Sequence, residues 1–150
     1  MSAVHGMPGH LIRRLQQISV ARFTEECSEF SLTSVQFAAL TAIGENPGLD
    51  ATRLSAIIAF DRSTIGDVLE RLEGKGWVAR TPSRTDKRAK TLKLTPAGRR
   101  VLDAVLPAVH RVQERLLAPL AEADRARFMA LLAQLVDLHG SQAGVLDAAE

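Results

Sequence analysis

Apolar residues recur along most of this chain at helical spacing, and the places where that spacing lapses mark a change of structure. Between Asp61 and Gly74, Ile65, Val68, Leu69 and Leu72 fall at i, i+3, i+4 and i+7. They form one stripe of a 3.6-residue repeat, which predicts a short amphipathic helix with that stripe buried. Asp61 is its expected N-cap, with Phe60 and Ile65 at the staple positions. Gly74 and Gly76 supply the backbone freedom to end it. The period then drops to two: Trp77 to Ala79 begins a strand, Pro82 and Ser83 break it, and Lys90 to Leu94 (KTLKL) alternates as a half-buried strand should.

On either side the pattern is helical. Met1 to Pro8 has no periodicity and is expected to be a loose arm. Between Gly9 and Glu26, Leu11, Leu15 and Ile18 share one face with Ile12 and Phe23 beside it, predicting a first helix. His10, Arg14 and Gln17 form a polar stripe on that helix at i, i+4 and i+7. A capping box of Thr33 and Gln36, with Leu32 and Phe37 as a staple, starts a second helix near Ser34 that runs to about Gly44. After a loop from Glu45 to Gly48, Asp50 caps a third helix that reaches about Ile58. The third helix and the Asp61 helix make a helix-turn-helix, with the latter as reader. Thr95 caps a fifth helix with Pro96 at its first position and a stripe of Val101, Leu102, Val105, Leu106, Val109, Val112 and Leu116. Pro107 is expected to kink it. A sixth helix starts near Glu122 with Phe128, Leu131, Leu132, Leu135 and Leu138 on one face, and the tail from Gly140 is expected to fray.

Composition narrows the class. A chain of 150 residues with 46% hydrophobic content suits one globular domain. No apolar run approaches the roughly 18 residues of a membrane span, so no membrane partner and a cytoplasmic location are expected. The single cysteine, Cys27, excludes an internal disulfide and a cysteine-rich zinc site. Four scattered histidines, no glycine-rich phosphate loop and no nucleophile-base spacing leave no catalytic residues, metal ligands or cofactor to name. Charge is unevenly placed: Asp50 to Arg100 holds twelve Lys and Arg against six Asp and Glu, a net +6, while the remainder carries −4, giving +2 overall. Positive charge concentrated on one part of a molecule is what a phosphate-facing surface requires.

The outward face of the Asp61 helix presents Arg62, Ser63, Gly66, Asp67, Glu70 and Arg71. By itself that is what any solvated helix shows. The hairpin beside it changes the reading, because Arg80, Arg84, Lys87, Arg88, Lys90 and Lys93 stand there against one acid, Asp86. A basic finger next to a polar helix is a nucleic-acid footprint. Arg62, Ser63, Thr64 and Arg71 become candidates for base and phosphate contacts, and Arg84 and Lys87 for the backbone or minor groove. Arg88 completes the basic set, with Asp86 bracing it or the loop backbone.

Residues Asp86, Arg88, Leu94, Thr95 and Gly98, read as D-x-R-x5-L-T-x-x-G, together with the K-G-W-V junction from Lys75 to Val78, resemble the wing and helix-entry signature of the MarR family of bacterial transcription regulators. The likeness extends from about His10 to Leu138. It implies a mainly α fold with a small β-hairpin wing, a winged helix-turn-helix joined to a helical dimerisation platform. Residues 1–32 would form the arm and first dimerisation helix, 33–100 the DNA-binding region, and 101–150 the remaining dimerisation helices. The first, fifth and sixth helices carry more apolar periodicity than one winged helix can bury, in keeping with a homodimer. Two-fold symmetry predicts a pseudo-palindromic duplex with reading helices in grooves roughly 34 Å apart.

The resemblance further implies a repressor released by a small molecule, often an aromatic carboxylate. Arg14 would hold the carboxylate through its forked guanidinium, with His10 and Gln17 as added donors. The opening from Pro8 to Gln17 is similar to members that control aromatic-acid degradation. Two rival readings remain: oxidant sensing through Cys27, which nearby Glu25, Glu26 and Glu29 oppose by disfavouring a thiolate, and ligand-independent architectural DNA binding.

Overall fold

The computed structural model describes residues 3–58, 62–85 and 90–147. A 3-10 turn at Ala3–Gly6 leads into α1 (Pro8–Glu26), and a second at Ser28–Phe30 precedes α2 (Ser34–Glu45). Then come α3 (Ala51–Ile58), α4 (Arg62–Gly74), the antiparallel strands β1 (Val78–Pro82) and β2 (Lys90–Leu94), α5 (Pro96–Leu117) and α6 (Glu122–Asp147).

Side-chain caps set three of the helix starts. The Thr33 hydroxyl accepts from the Gln36 amide at 3.2 Å while the Gln36 side chain accepts from the Thr33 amide at 3.1 Å, the reciprocal box expected for α2. The Asp50 carboxylate accepts from the Arg53 amide at 2.8 Å and opens α3. The Thr95 hydroxyl accepts from the Gly98 amide at 3.0 Å and opens α5. The expected cap at Asp61 and its staple partner Phe60 lie outside the described residues.

The end of α4 is a Schellman motif. The Trp77 amide bonds the Leu72 carbonyl at 3.0 Å and the Gly76 amide bonds that of Glu73 at 2.9 Å. Gly76 takes the left-handed conformation, φ +75°, that this motif places at its C′ position and that side chains resist. The stop therefore needs Gly76, one residue beyond the last turn.

In the first compact unit, residues 1–113, burial follows the stripe of α4 and most of that of α5. Ile65, Val68, Leu69 and Leu72 are buried, and Leu40, Leu54 and Val105 are sealed with them. Each such side chain contributes about 1.5–3 kcal/mol, more than the roughly 1 kcal/mol of one cap, so packing holds α4 in place and capping only positions its ends. On the hairpin, Val78 pairs with Leu94, Arg80 with Leu92 and Thr81 with Thr91. The Leu92 amide reaches the Leu49 carbonyl at 2.7 Å, which fastens β2 to the loop between α2 and α3.

Three features differ from the sequence pattern: the chain entry, the bounds of β1 and the length of α6. Chain entry is ordered as a 3-10 turn, with Pro8 at the first position of α1 where its missing amide costs nothing. The stripe of α1 is open, as its surplus of apolar positions implies, with Leu11, Ile12 and Ile18 exposed and Phe23 alone buried. Strand β1 starts after Trp77 and includes Pro82, which sits opposite Lys90 at its end, a strand position proline tolerates. Helix α6 passes Gly140 to reach Asp147, and α5 contains Pro107, the expected position of its kink, within one helix.

The second compact unit, residues 114–150, consists of the end of α5 and α6. Arg125 fastens its turn by donating to the carbonyls of Leu120 at 2.8 Å and Ala118 at 3.1 Å. Met129, Leu131, Leu132, Leu135, Val136 and Leu138 are exposed along α6.

Candidate nucleic-acid interface

With its apolar stripe committed to the core, α4 turns Gly66, Asp67, Glu70 and Arg71 to solvent. Thr64 is half-buried at the edge of this face. Arg62 and Ser63 lie in the first turn of α4, ahead of Thr64. Asp67, Glu70 and Arg71 line one shallow depression. An α-helix fits the B-DNA major groove, and Gly66 leaves the middle of this face without a side chain. Asp67 and Glu70 are acceptors suited to the cytosine amino group, while Arg71 is a donor suited to guanine or phosphate. Sequence reasoning nominated Arg62, Ser63, Thr64 and Arg71 here and named Asp67 and Glu70 only as members of the outward face.

The hairpin adds a two-stranded arm. Hydroxyls of Thr81 and Thr91 bond across it at 2.9 Å, on the face opposite Arg80 and Leu92. Arg84 is exposed just past β1, where the Ser83 hydroxyl accepts from the Thr85 amide at 3.3 Å and shapes the turn. Lys87, Arg88 and Asp86 lie outside the described residues. One cation of the basic finger is engaged inward: Arg80 pairs with Glu73 of α4, tying the arm to the reading helix.

Three residues fix where that arm stands. Thr95 caps α5 and also donates its hydroxyl proton to the Gly76 carbonyl at 2.6 Å, while its amide reaches the Trp77 carbonyl at 3.0 Å. Gly98 lies so close to the same peptide that a Cβ would fall 2.1 Å from the Trp77 carbonyl oxygen. Lys75 donates to the Ser31 carbonyl, stands 3.5 Å from the Gln36 side-chain oxygen and lies 4.6 Å from the centre of the Trp77 ring. The motif L-T-x-x-G and the K-G-W-V junction are thus one joint, at which α4, β1 and the start of α5 meet.

Residues 32–90 match the MarR family profile. Over 129 residues the chain is 30% identical to the HTH-type transcriptional repressor NicR of Pseudomonas putida, covering 86% of this chain and 82% of that one. This chain belongs to the MarR family. The PcaV transcriptional regulator from Streptomyces coelicolor, in complex with its natural ligand, superposes with a TM-score of 0.82 at 35% identity, over 91% of this chain and 96% of that one. The transcriptional repressor CouR bound to a 23-mer DNA duplex superposes with a TM-score of 0.84 at 28% identity, again over 91% and 96%. The chain is accordingly a winged helix-turn-helix transcriptional regulator, with α3 and α4 as the helix-turn-helix and β1 and β2 as the wing.

The polar stripe of α1 is partly assembled. Arg14 donates to the Gln17 side-chain oxygen at 3.5 Å, and both are exposed. His10 is half-buried, its Nδ1 lies 3.2 Å from Arg13, and its ring stands 5.1 Å from that of His5. The structure therefore joins Arg14 to Gln17 and couples His10 to Arg13 instead.

Cys27 is fully buried. Burial pushes its thiol above the usual range, Glu26 and Glu29 raise it further, and Arg111 opposes them. Arg111 is itself paired with Glu26 at 3.2 Å. Among the described residues no group of three His, Cys, Asp or Glu is placed to hold a metal ion. No helix there is long and apolar enough to cross a membrane.

Proposed function

We propose that this chain is a homodimeric repressor that binds a pseudo-palindromic operator and releases it when a small aromatic carboxylate binds. The observation that carries the reading is the joint at Thr95, Gly98 and Trp77, which sets an exposed polar α4 and a basic wing at fixed mutual positions. Arg62, Ser63, Thr64 and Arg71 would meet bases and phosphates in the major groove, and Arg84, Lys87 and Arg88 the backbone beside it. The DNA-bound CouR structure and the ligand-bound PcaV structure support DNA and a small effector as partners of so similar a chain.

The effector would be held by Arg14, with Gln17 and His10 as further donors. Open apolar residues on α1 and α6 support dimerisation through residues outside 33–100. A ligand that prefers a dimer with its reading heads at the wrong spacing lowers DNA affinity by that preference and no more.

The test is binding of the purified protein to the intergenic DNA beside its own gene, titrated with benzoate and hydroxylated benzoates. Tight binding, about a thousandfold over random duplex, released by one of the acids, is the expected result. Tight binding that no acid releases would remove the effector half of the proposal. Equal affinity for random duplex would replace it with an architectural role.

A further inference from the structure

Behind the wing lies a cleft of about 660 Å3, between the end of α2, the loop that follows it, the outer edge of β2 and the first turn of α5. Its floor is apolar, made by Ile43, Leu92 and Leu94, and three cations from separate elements face it: Arg84, Lys93 and Arg99. None of its lining residues is an acid. Among the described residues, these three cations have no ion-pair partner, whereas Arg22, Arg80 and Arg111 are each matched to a glutamate. Arg99 is held against the wall of the cleft: a Cβ on Gly44 would lie 3.4 Å from both of its terminal nitrogens and 2.9 Å from the Leu94 Cδ1 methyl carbon.

Three cations without an ion-pair partner among the described residues, set around a concave apolar floor, favour an anion that joins them. A ligand that fits the whole cleft needs both an oxyanion and an apolar body. We propose that this cleft is a second small-anion site, taking a compact organic acid whose carboxylate lies between Lys93 and Arg99 and whose apolar body rests on Ile43, Leu92 and Leu94. The site is independent of the α1 stripe and of whether that stripe holds an effector. A bare phosphate would satisfy the cations but leave the floor uncovered, so the apolar body distinguishes the two sources of negative charge.

The experiment is methyl NMR of the full-length protein titrated with benzoate and, separately, with inorganic phosphate. Saturable shifts are expected at the methyls of Ile43, Leu92 and Leu94 with benzoate, and weaker ones with phosphate. Any response at the first helix is read separately from Ile12 and Leu15. Arg99→Gln and Lys93→Gln should each weaken benzoate by about tenfold or more, the usual worth of a charge-assisted hydrogen bond. Gly44→Ala should also weaken it while leaving every charge in place, because the added methyl displaces flexible ends of Leu94 and Arg99 rather than backbone. Unmoved methyls at Ile43, Leu92 and Leu94 would overturn the proposal. So would Arg99→Gln lowering duplex affinity while sparing benzoate, since the cations would then be contacts to DNA phosphate.

Discussion

Gly98 shows how one residue type can be dictated by a neighbour distant in sequence. Any side chain there meets the Trp77 carbonyl oxygen, and backbone cannot yield as a side-chain tip can. Gly98→Ala should therefore destabilise the protein by about 1–3 kcal/mol or more, read as a lower denaturation midpoint, whereas Gly74→Ala, with open space at its Cβ, should not. Cys27 is governed by burial in the same way. Its folded pKa is raised, so as pH climbs past the ordinary value near 9.0 the unfolded chain loses the thiol proton first. The stability linked to this thiol is fully present below that pH and is lost as pH rises through the raised folded value, and Cys27→Ala should flatten that decline in denaturant titrations from pH 7 to 10. At pH 7 the native thiol should react slowly with a maleimide; rapid reaction would revive the oxidant-sensing reading.

At the scale of single elements, the wing and the first helix make different demands. Arg84 is exposed, and its proposed partner is a phosphate, which carries no sequence information. Arg84→Ala should weaken specific and random duplex alike and reduce the slope of log K against log salt by about one. An unchanged slope would strike Arg84 from the interface. Arg14→Ala tests the stripe of α1: DNA affinity is expected to persist while release by the effector is lost, and a variant that still responds would move the ligand elsewhere. Element boundaries were largely legible because caps are local chemistry, as Thr33 with Gln36 and Asp50 with the Arg53 amide show. Partners distant in sequence were not. Nothing in the local pattern around Arg80 announces Glu73, and no period of one or two turns brings Lys75 to the Ser31 carbonyl. Arg14 and Gln17 were visible as one stripe, yet the pairing of His10 with Arg13 depends on rotamers that the stripe does not encode.

For the whole molecule, the telling feature is apolar surface that the single chain leaves open on α1 and along α6. Isolated exposed leucines are ordinary, but a run from Met129 to Leu138 in register with the helical repeat is the mark of an interface. Leu135→Arg is expected to convert the proposed dimer to monomer in sedimentation experiments and to cut operator affinity by more than tenfold, because one half-site then binds without the other. A variant that stays dimeric would place the interface away from α6. The sequence period already pointed past the single chain, because the first, fifth and sixth helices carry more apolar positions than one winged helix can bury.

The joint between Gly76, Trp77 and Thr95 also has a mechanical reading. The hairpin grows directly from the peptide on which the start of α5 is pinned, and the Leu92–Leu49 bond and the Arg80–Glu73 pair tie its flanks, so the arm follows its base. Five residues of strand reach about 17 Å, and turning the base by about 5° swings the far end by about 1.5 Å, half the length of a hydrogen bond. A tilt of α5 passed through the joint would therefore shift the proposed phosphate contacts of the arm by more than a hydrogen bond tolerates.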